Sequence, residues 1–251
     1  MMPNHAPFRA AMLSSLRAGL LLSLTAGAAF AATDPAPLSC MIAPWREARL
    51  AFDQPGIVAE RHVARTDRVR AGDPLVSLKS GLAEADLERA GLSRDSLAAR
   101  LSRSEALTRN NVIARDEIEQ LRVDHAQAEV EWRAATQRLS RLTLVAPFDG
   151  VITSTAVEAG EMAGSEAVMT LAEIARLKAI VILPAEAFGL YKDGQSLKLR
   201  SALSGVLREG RVQRIDSFLN PSANSFTLEV ALENQDEAFL PGEGCDLIAA
   251  Q

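Results

Sequence analysis

Residues that carry chemistry are scarce in this 251-residue chain, which has three histidines, two cysteines and an aromatic content of 4%. The histidines stand apart, at His5, His62 and His125, and no group of His, Cys and carboxylates has the spacing of a metal site. Met162 and Met169 read as core side chains rather than copper ligands. Neither a Gly-x-Ser-x-Gly elbow nor a Gly-rich phosphate loop is present. Basic residues do not predominate either: 27 Lys and Arg face 32 Asp and Glu, for a formal net charge of −5, which argues against nucleic acid as a partner. No cofactor suggests itself, and the sequence reads as a non-enzyme.

Long apolar runs are also lacking. The one present, Ala18–Phe30, has thirteen residues, short of the roughly 20 that cross a bilayer as a helix. Arg9 and Arg17 precede it, and Ala29-Phe30-Ala31 has the small-x-small form of a signal-peptidase site. Residues 1–31 therefore read as a cleaved signal peptide, an uncleaved anchor being the alternative, and the mature chain should begin near Ala32 in the periplasm. Without residues 1–31 the formal charge becomes −7. Pro37-Leu38-Ser39 before Cys40 is a poor lipoprotein signal, so attachment to the inner membrane would run through partners. Cys40 and Cys245 lie near the two ends of the mature chain, and an exported protein meets an oxidising compartment. We read them as one disulfide; two separate buried thiols are the alternative.

What the chain does have is alternating character. From Leu50 to Leu78 short strand-like runs are punctuated by Pro55-Gly56 and Gly72-Asp73. Between Leu82 and Leu142 there is no proline and one glycine, Gly91, in a composition rich in Leu, Ala, Glu, Arg and Gln, which favours long helices. Ile118, Leu121, His125, Ala128, Trp132, Ala135, Leu139 and Leu142 form a heptad seam, and Ala83, Leu87, Ala90, Arg94, Leu97, Leu101 and Ser104 a weaker one. The turn between them falls at Thr108-Arg109-Asn110-Asn111. Residues 82–142 thus predict an antiparallel helical hairpin about 40 Å long at 1.5 Å per residue.

Strand character returns at Leu144, and the segment to Leu171 echoes the one before the hairpin. With a shift of 94 positions Gly56-Ile57-Val58 falls on Gly150-Val151-Ile152, and Asp67 on Glu161. Two such halves suggest a pseudo-symmetric sandwich from which the hairpin projects. Beyond it, runs at Leu177–Leu183, Ser196–Arg200, Gly210–Phe218, Ser225–Leu232 and Cys245–Ala249 suggest a small barrel, with a short helix around Ala185 to Tyr191. If Cys40 bonds Cys245, Ser39 to Arg49 is the strand that completes that barrel. The expected fold is mainly β with an α-helical hairpin, elongated and multi-domain. Its parts are an N-terminal segment (32–50), first half-motif (51–81), hairpin (82–142), second half-motif (143–173) and β-barrel (174–251).

This architecture resembles the HlyD-like membrane-fusion family, the periplasmic adaptors of export pumps. The marks are Ala146-Pro147-Phe148-Asp149-Gly150-Val151-Ile152, Asp67-Arg68-Val69-Arg70-Ala71-Gly72-Asp73-Pro74-Leu75 and Leu240-Pro241-Gly242. The resemblance implies a lipoyl-like sandwich interrupted by a coiled-coil hairpin, and a scaffold joining an inner-membrane transporter to a TolC-like outer-membrane channel. It implies a resistance-nodulation-division transporter ahead of an ABC one, and side-by-side assembly, typically of six subunits. Family members dock on the channel through Arg-x3-Leu-x6-Ser at the hairpin tip, where this chain has Arg103, Leu107 and Ala114 around the turn Arg109, Asn110 and Asn111. The serine is replaced, which forfeits a helix cap worth about 1 kcal/mol. Other readings are a lipoyl or biotinyl carrier, with Lys79 as the nearest lysine to the expected position, and a periplasmic ligand-binding module.

Overall fold

The computed structural model describes residues 36–107 and 114–248. Residues 1–31, read above as a signal peptide, and the expected turn residues Arg109, Asn110 and Asn111 lie outside the described residues.

The proline-free stretch forms two helices, α1 (Gly81–Leu107) and α2 (Ala114–Ser140), of 27 residues each. Their seams face inward: Ile118, Leu121, Ala128 and Ala135 are buried. His125, Trp132, Leu139 and all seven seam residues of α1 are half-buried. The polar seam member Arg94 has a partner, since its guanidinium stacks 4.1 Å from the ring centre of Trp132. Further along, Arg122 pairs with Glu105 at 2.8 Å. The two pairs run in opposite sequence order, so the helices lie antiparallel.

The strands flanking the helices, β2 (Glu47–Leu50), β3 (Gly56–Arg61), β4 (Arg68–Val69), β5 (Pro74–Leu78), β6 (Thr143–Val145), β7 (Gly150–Thr155), β8 (Met162–Ala163) and β9 (Met169–Ala172), form two four-stranded sheets. Their orders are β2-β9-β7-β4 and β6-β5-β3-β8, and exchanging each strand for the one four places before or after it turns one sheet into the other. The repeat extends to single bonds. Thr66 N–H donates to Ile152 O at 2.8 Å, and 94 positions on Gly160 N–H donates to Val58 O at 2.9 Å. Each half contributes to both sheets, and between them lies one core, including Phe52, Val58, Leu75, Leu78, Ile152, Met169 and Leu171.

The remaining strands, β1 (Ser39–Pro44), β10 (Arg176–Pro184), β11 (Ser196–Ser201), β12 (Leu207–Ile215), β13 (Ser225–Glu233) and β14 (Cys245–Ile248), form a six-stranded sheet in the order β1-β10-β13-β12-β11-β14. Strict alternation in β10 and β13 sends Leu177, Ala179, Val181 and Leu183, with Phe226, Leu228, Val230 and Leu232, into a second core. The sheet nearly closes. Gly242 N–H donates to Ile42 O at 2.8 Å, Ile42 N–H to Glu243 O at 2.9 Å, and the Cys40–Cys245 disulfide joins the two end strands, Cα atoms 5.0 Å apart.

Four sequence readings need correction here, one being Met162, which is 68% exposed on β8 rather than a core side chain like Met169. Ser39 to Arg49 is not one barrel strand: β1 ends at Pro44, and β2 pairs with β9 in the other sheet, because Trp45 and Arg46 carry the chain across. Strand β12 begins at Leu207 rather than Gly210, since Arg200 pairs with Leu207 across a tight connection. The segment after Pro184 forms only a single 3-10 turn, Ala185–Ala187.

Candidate docking site at the helix ends

At the far end of α1, Arg103 and Leu107 are both exposed, Leu107 at 84%. Four residues apart on one helix, they share a face. A leucine so exposed at a helix end adds nothing to the core, whereas a partner that covers it gains apolar burial. Ala114 opens α2, with Asp116 and Glu117 in its first turn, where their charge suits the helix dipole. The Glu105–Arg122 pair ties the helices together just below. Hydrogen bonding to Glu105, with the smaller influence of Glu119, raises the Arg122 pKa, so this clamp stays charged.

The quoted motifs meet in the sandwich. Asp149 Oδ1 accepts from Ala71 N–H at 2.8 Å, Gly72 N–H donates to Ala146 O at 2.8 Å, and Ala146 N–H to Asp73 O at 2.9 Å. Gly72 sits at φ +90°, a region glycine occupies without strain. A side chain at Gly150 would collide with the backbone of Ala172. In the third motif, Leu240-Pro241-Gly242, Gly242 supplies one of the two bonds that nearly close the barrel, and Glu243 beside it the other. These segments are marks of the fold because they are its joints.

Sequence reasoning missed the crossing between sandwich and barrel. Arg46 Nε lies 2.6 Å from Glu173 Oε2, and its guanidinium stacks 4.4 Å from Phe148. Arg176 stacks 4.0 Å from Trp45. Trp45-Arg46, adjacent in a chain with two tryptophans, was the available signal. His62 was assigned no role; its Nε2 lies 2.8 Å from Ser77 Oγ across β3 and β5, on the exposed strand surface. Lys79 follows β5 directly, its N–H donating to Ile57 O at 2.8 Å where strand passes into helix. Among the described residues no group of His, Cys, Asp and Glu is placed to hold a metal, and no helix is long and apolar enough to cross a membrane.

No protein-family model matches the sequence. Solved structures match the fold: the membrane fusion protein Spr0693 of Streptococcus pneumoniae R6 superposes with a TM-score of 0.68 at 17% identity, over 84% of this chain and 100% of that one. The chain has the fold of that membrane fusion protein. Curated sequences also match. The cobalt-zinc-cadmium resistance protein CzcB of Cupriavidus metallidurans is 29% identical to this chain over 127 residues, 49% of this chain and 24% of CzcB. Nodulation protein NolF of Rhizobium meliloti is 25% identical over 211 residues, 78% of this chain and 58% of NolF. The chain thus spans a quarter of one relative and little over half of the other.

Proposed function

We propose that this chain is the periplasmic adaptor subunit of a tripartite efflux or secretion pump, a scaffold that makes and breaks no bond. In this reading α1 and α2 are a coiled-coil hairpin turning at Arg109, Asn110 and Asn111 and inserted in a lipoyl-like sandwich. The hairpin end meets a TolC-like outer-membrane channel, and the barrel end meets an inner-membrane transporter of the resistance-nodulation-division class. Subunits stand side by side, six to an assembly. The observation that carries the reading is the pair of 27-residue helices inserted between two sandwich halves, with Arg103 and Leu107 uncovered at their outer end. Arginine offers several donors to carbonyls or carboxylates, and leucine offers apolar area to bury.

The test replaces Arg103. Arg103→Asp is expected to abolish complementation of a deletion of this gene, scored as export of the pump's substrate, while secretion, folding and assembly stay intact. Ala114→Ser is expected to keep export and to strengthen the helix cap. An Arg103→Asp chain that pumps normally and still crosslinks to the channel would overturn docking by this tip.

A further inference from the structure

The barrel has an apolar rim. Strand β10 starts at Arg176, beside the crossing from the sandwich, and ends at Pro184, at the far end of the barrel. At that far end Leu38, Phe188, Leu190, Phe218 and Leu219 are all exposed, Phe218 at 87%. They come from three stretches of chain. Leu38 leads into β1 and donates its N–H to Ile182 O at 2.8 Å. Phe188 and Leu190 follow β10, and Phe218 and Leu219 lie between β12 and β13. The pairings of Ser39 with Ile182, Pro184 with Ser225 and Ile215 with Leu228 bring the three stretches to one rim.

The rim is built, not loose. Asp216 N–H donates to Thr227 O at 2.9 Å and Asn220 N–H to Ser225 O at 2.7 Å, so residues 217–219 bulge out opposite the single residue Phe226. Asn220 fixes the turn beyond, its Oδ1 accepting from Ser222 N–H at 3.0 Å and Ala223 N–H at 3.3 Å. Ala185 N–H donates to Asn224 O at 2.8 Å, which ties this loop to the one that carries Phe188. Phe188 in turn meets Phe226 edge to face, ring centres 5.4 Å apart. Phe218 and Leu219 are thus held outward, apart from the barrel core. Exposed apolar side chains gathered in this way mark a contact surface.

The route of the chain points to what covers it. The apolar run Ala18–Phe30 ends eight residues before Leu38, so the part of the sequence suited to a membrane continues directly into the residue that opens this rim. Apolar side chains from three stretches also suit a broad surface better than a groove shaped for one ridge. Charge sets the kind of attraction: the two loops hold Glu186, Asp193 and Asp216 against Lys192, which repels anionic headgroups and leaves burial of apolar area as the driving term. We propose that this rim seats on a lipid bilayer, with Phe218 and Leu219 entering the interface and Leu38, Phe188 and Leu190 around them. The contact goes beyond the adaptor reading and does not depend on it.

Vesicle flotation of the exported chain, purified from the periplasm, tests this. It is expected to float with phosphatidylcholine vesicles, no less than with vesicles that also contain phosphatidylglycerol, and to stay bound in high salt. Phe218→Ser/Leu219→Ser should unfold at the temperature of the parent and bind about tenfold more weakly. Leu92→Ser, which removes an exposed leucine of α1, should bind as the parent does. A parent chain that stays with the soluble fraction, an equal affinity in the double variant, or binding that requires phosphatidylglycerol and is lost in salt overturns the proposal. In cells, a benzophenone-bearing phenylalanine in place of Phe218 should give lipid adducts on illumination. Adducts to protein alone would make a protein the occupant of the rim and reject the bilayer.

Discussion

Thr66 shows how the internal repeat acts on one residue. Its φ is +77°, and its counterpart Gly160 has φ +94° in the same bonded position. A β-branched residue is strained there and glycine is not, although glycine surrenders more chain entropy on folding. We therefore expect Thr66→Gly to stabilise the protein by about 0.5–1 kcal/mol, read as a higher urea midpoint with an unchanged slope. A lower midpoint would mean that Thr66 makes compensating contacts. Signals of this kind were legible in part: the repeat placed Gly56 over Gly150 and Asp67 over Glu161, yet nothing in a single threonine announced a left-handed backbone.

The helices were the most legible elements, because a heptad seam is a long pattern and each position votes on the same axis. Burial follows the seam residue by residue, and even Arg94 is accounted for by Trp132. Gly91 faces that same tryptophan, and a β-carbon there would lie 3.7 Å from Trp132 Cδ1, an ordinary packing distance. Gly91→Ala should accordingly raise stability by about 0.5–1 kcal/mol, seen in thermal unfolding followed by circular dichroism; a fall would mean that the helices approach more closely than this spacing. The connections were less legible. Trp45-Arg46 breaks a run that looks continuous, because a two-residue crossing between sheets leaves no break in hydrophobic pattern. The docking residues Arg103 and Leu107 came from resemblance and from position near a turn, since an exposed arginine has no periodic signature.

For the molecule as a whole, the helices are an insertion in a β-hairpin. Leu78 N–H donates to Leu142 O at 2.8 Å and Ser77 pairs with Thr143, so the strands on either side of the insertion are already neighbours. Replacing residues 81–141 by a short glycine-containing turn should leave both β cores folded, with native strand signal, cooperative unfolding and the bridge intact, while export is lost. Retained export would remove the scaffold reading.

The bridge that joins the barrel's end strands spans 205 residues of chain. Cys40 is synthesised 205 residues ahead of Cys245, so through that stretch of synthesis it lacks this partner. These 251 residues hold two cysteines, so within them only one pairing is possible. The bridge therefore closes only in a molecule whose chain has reached residue 245, and a chain interrupted before it keeps Cys40 as a thiol.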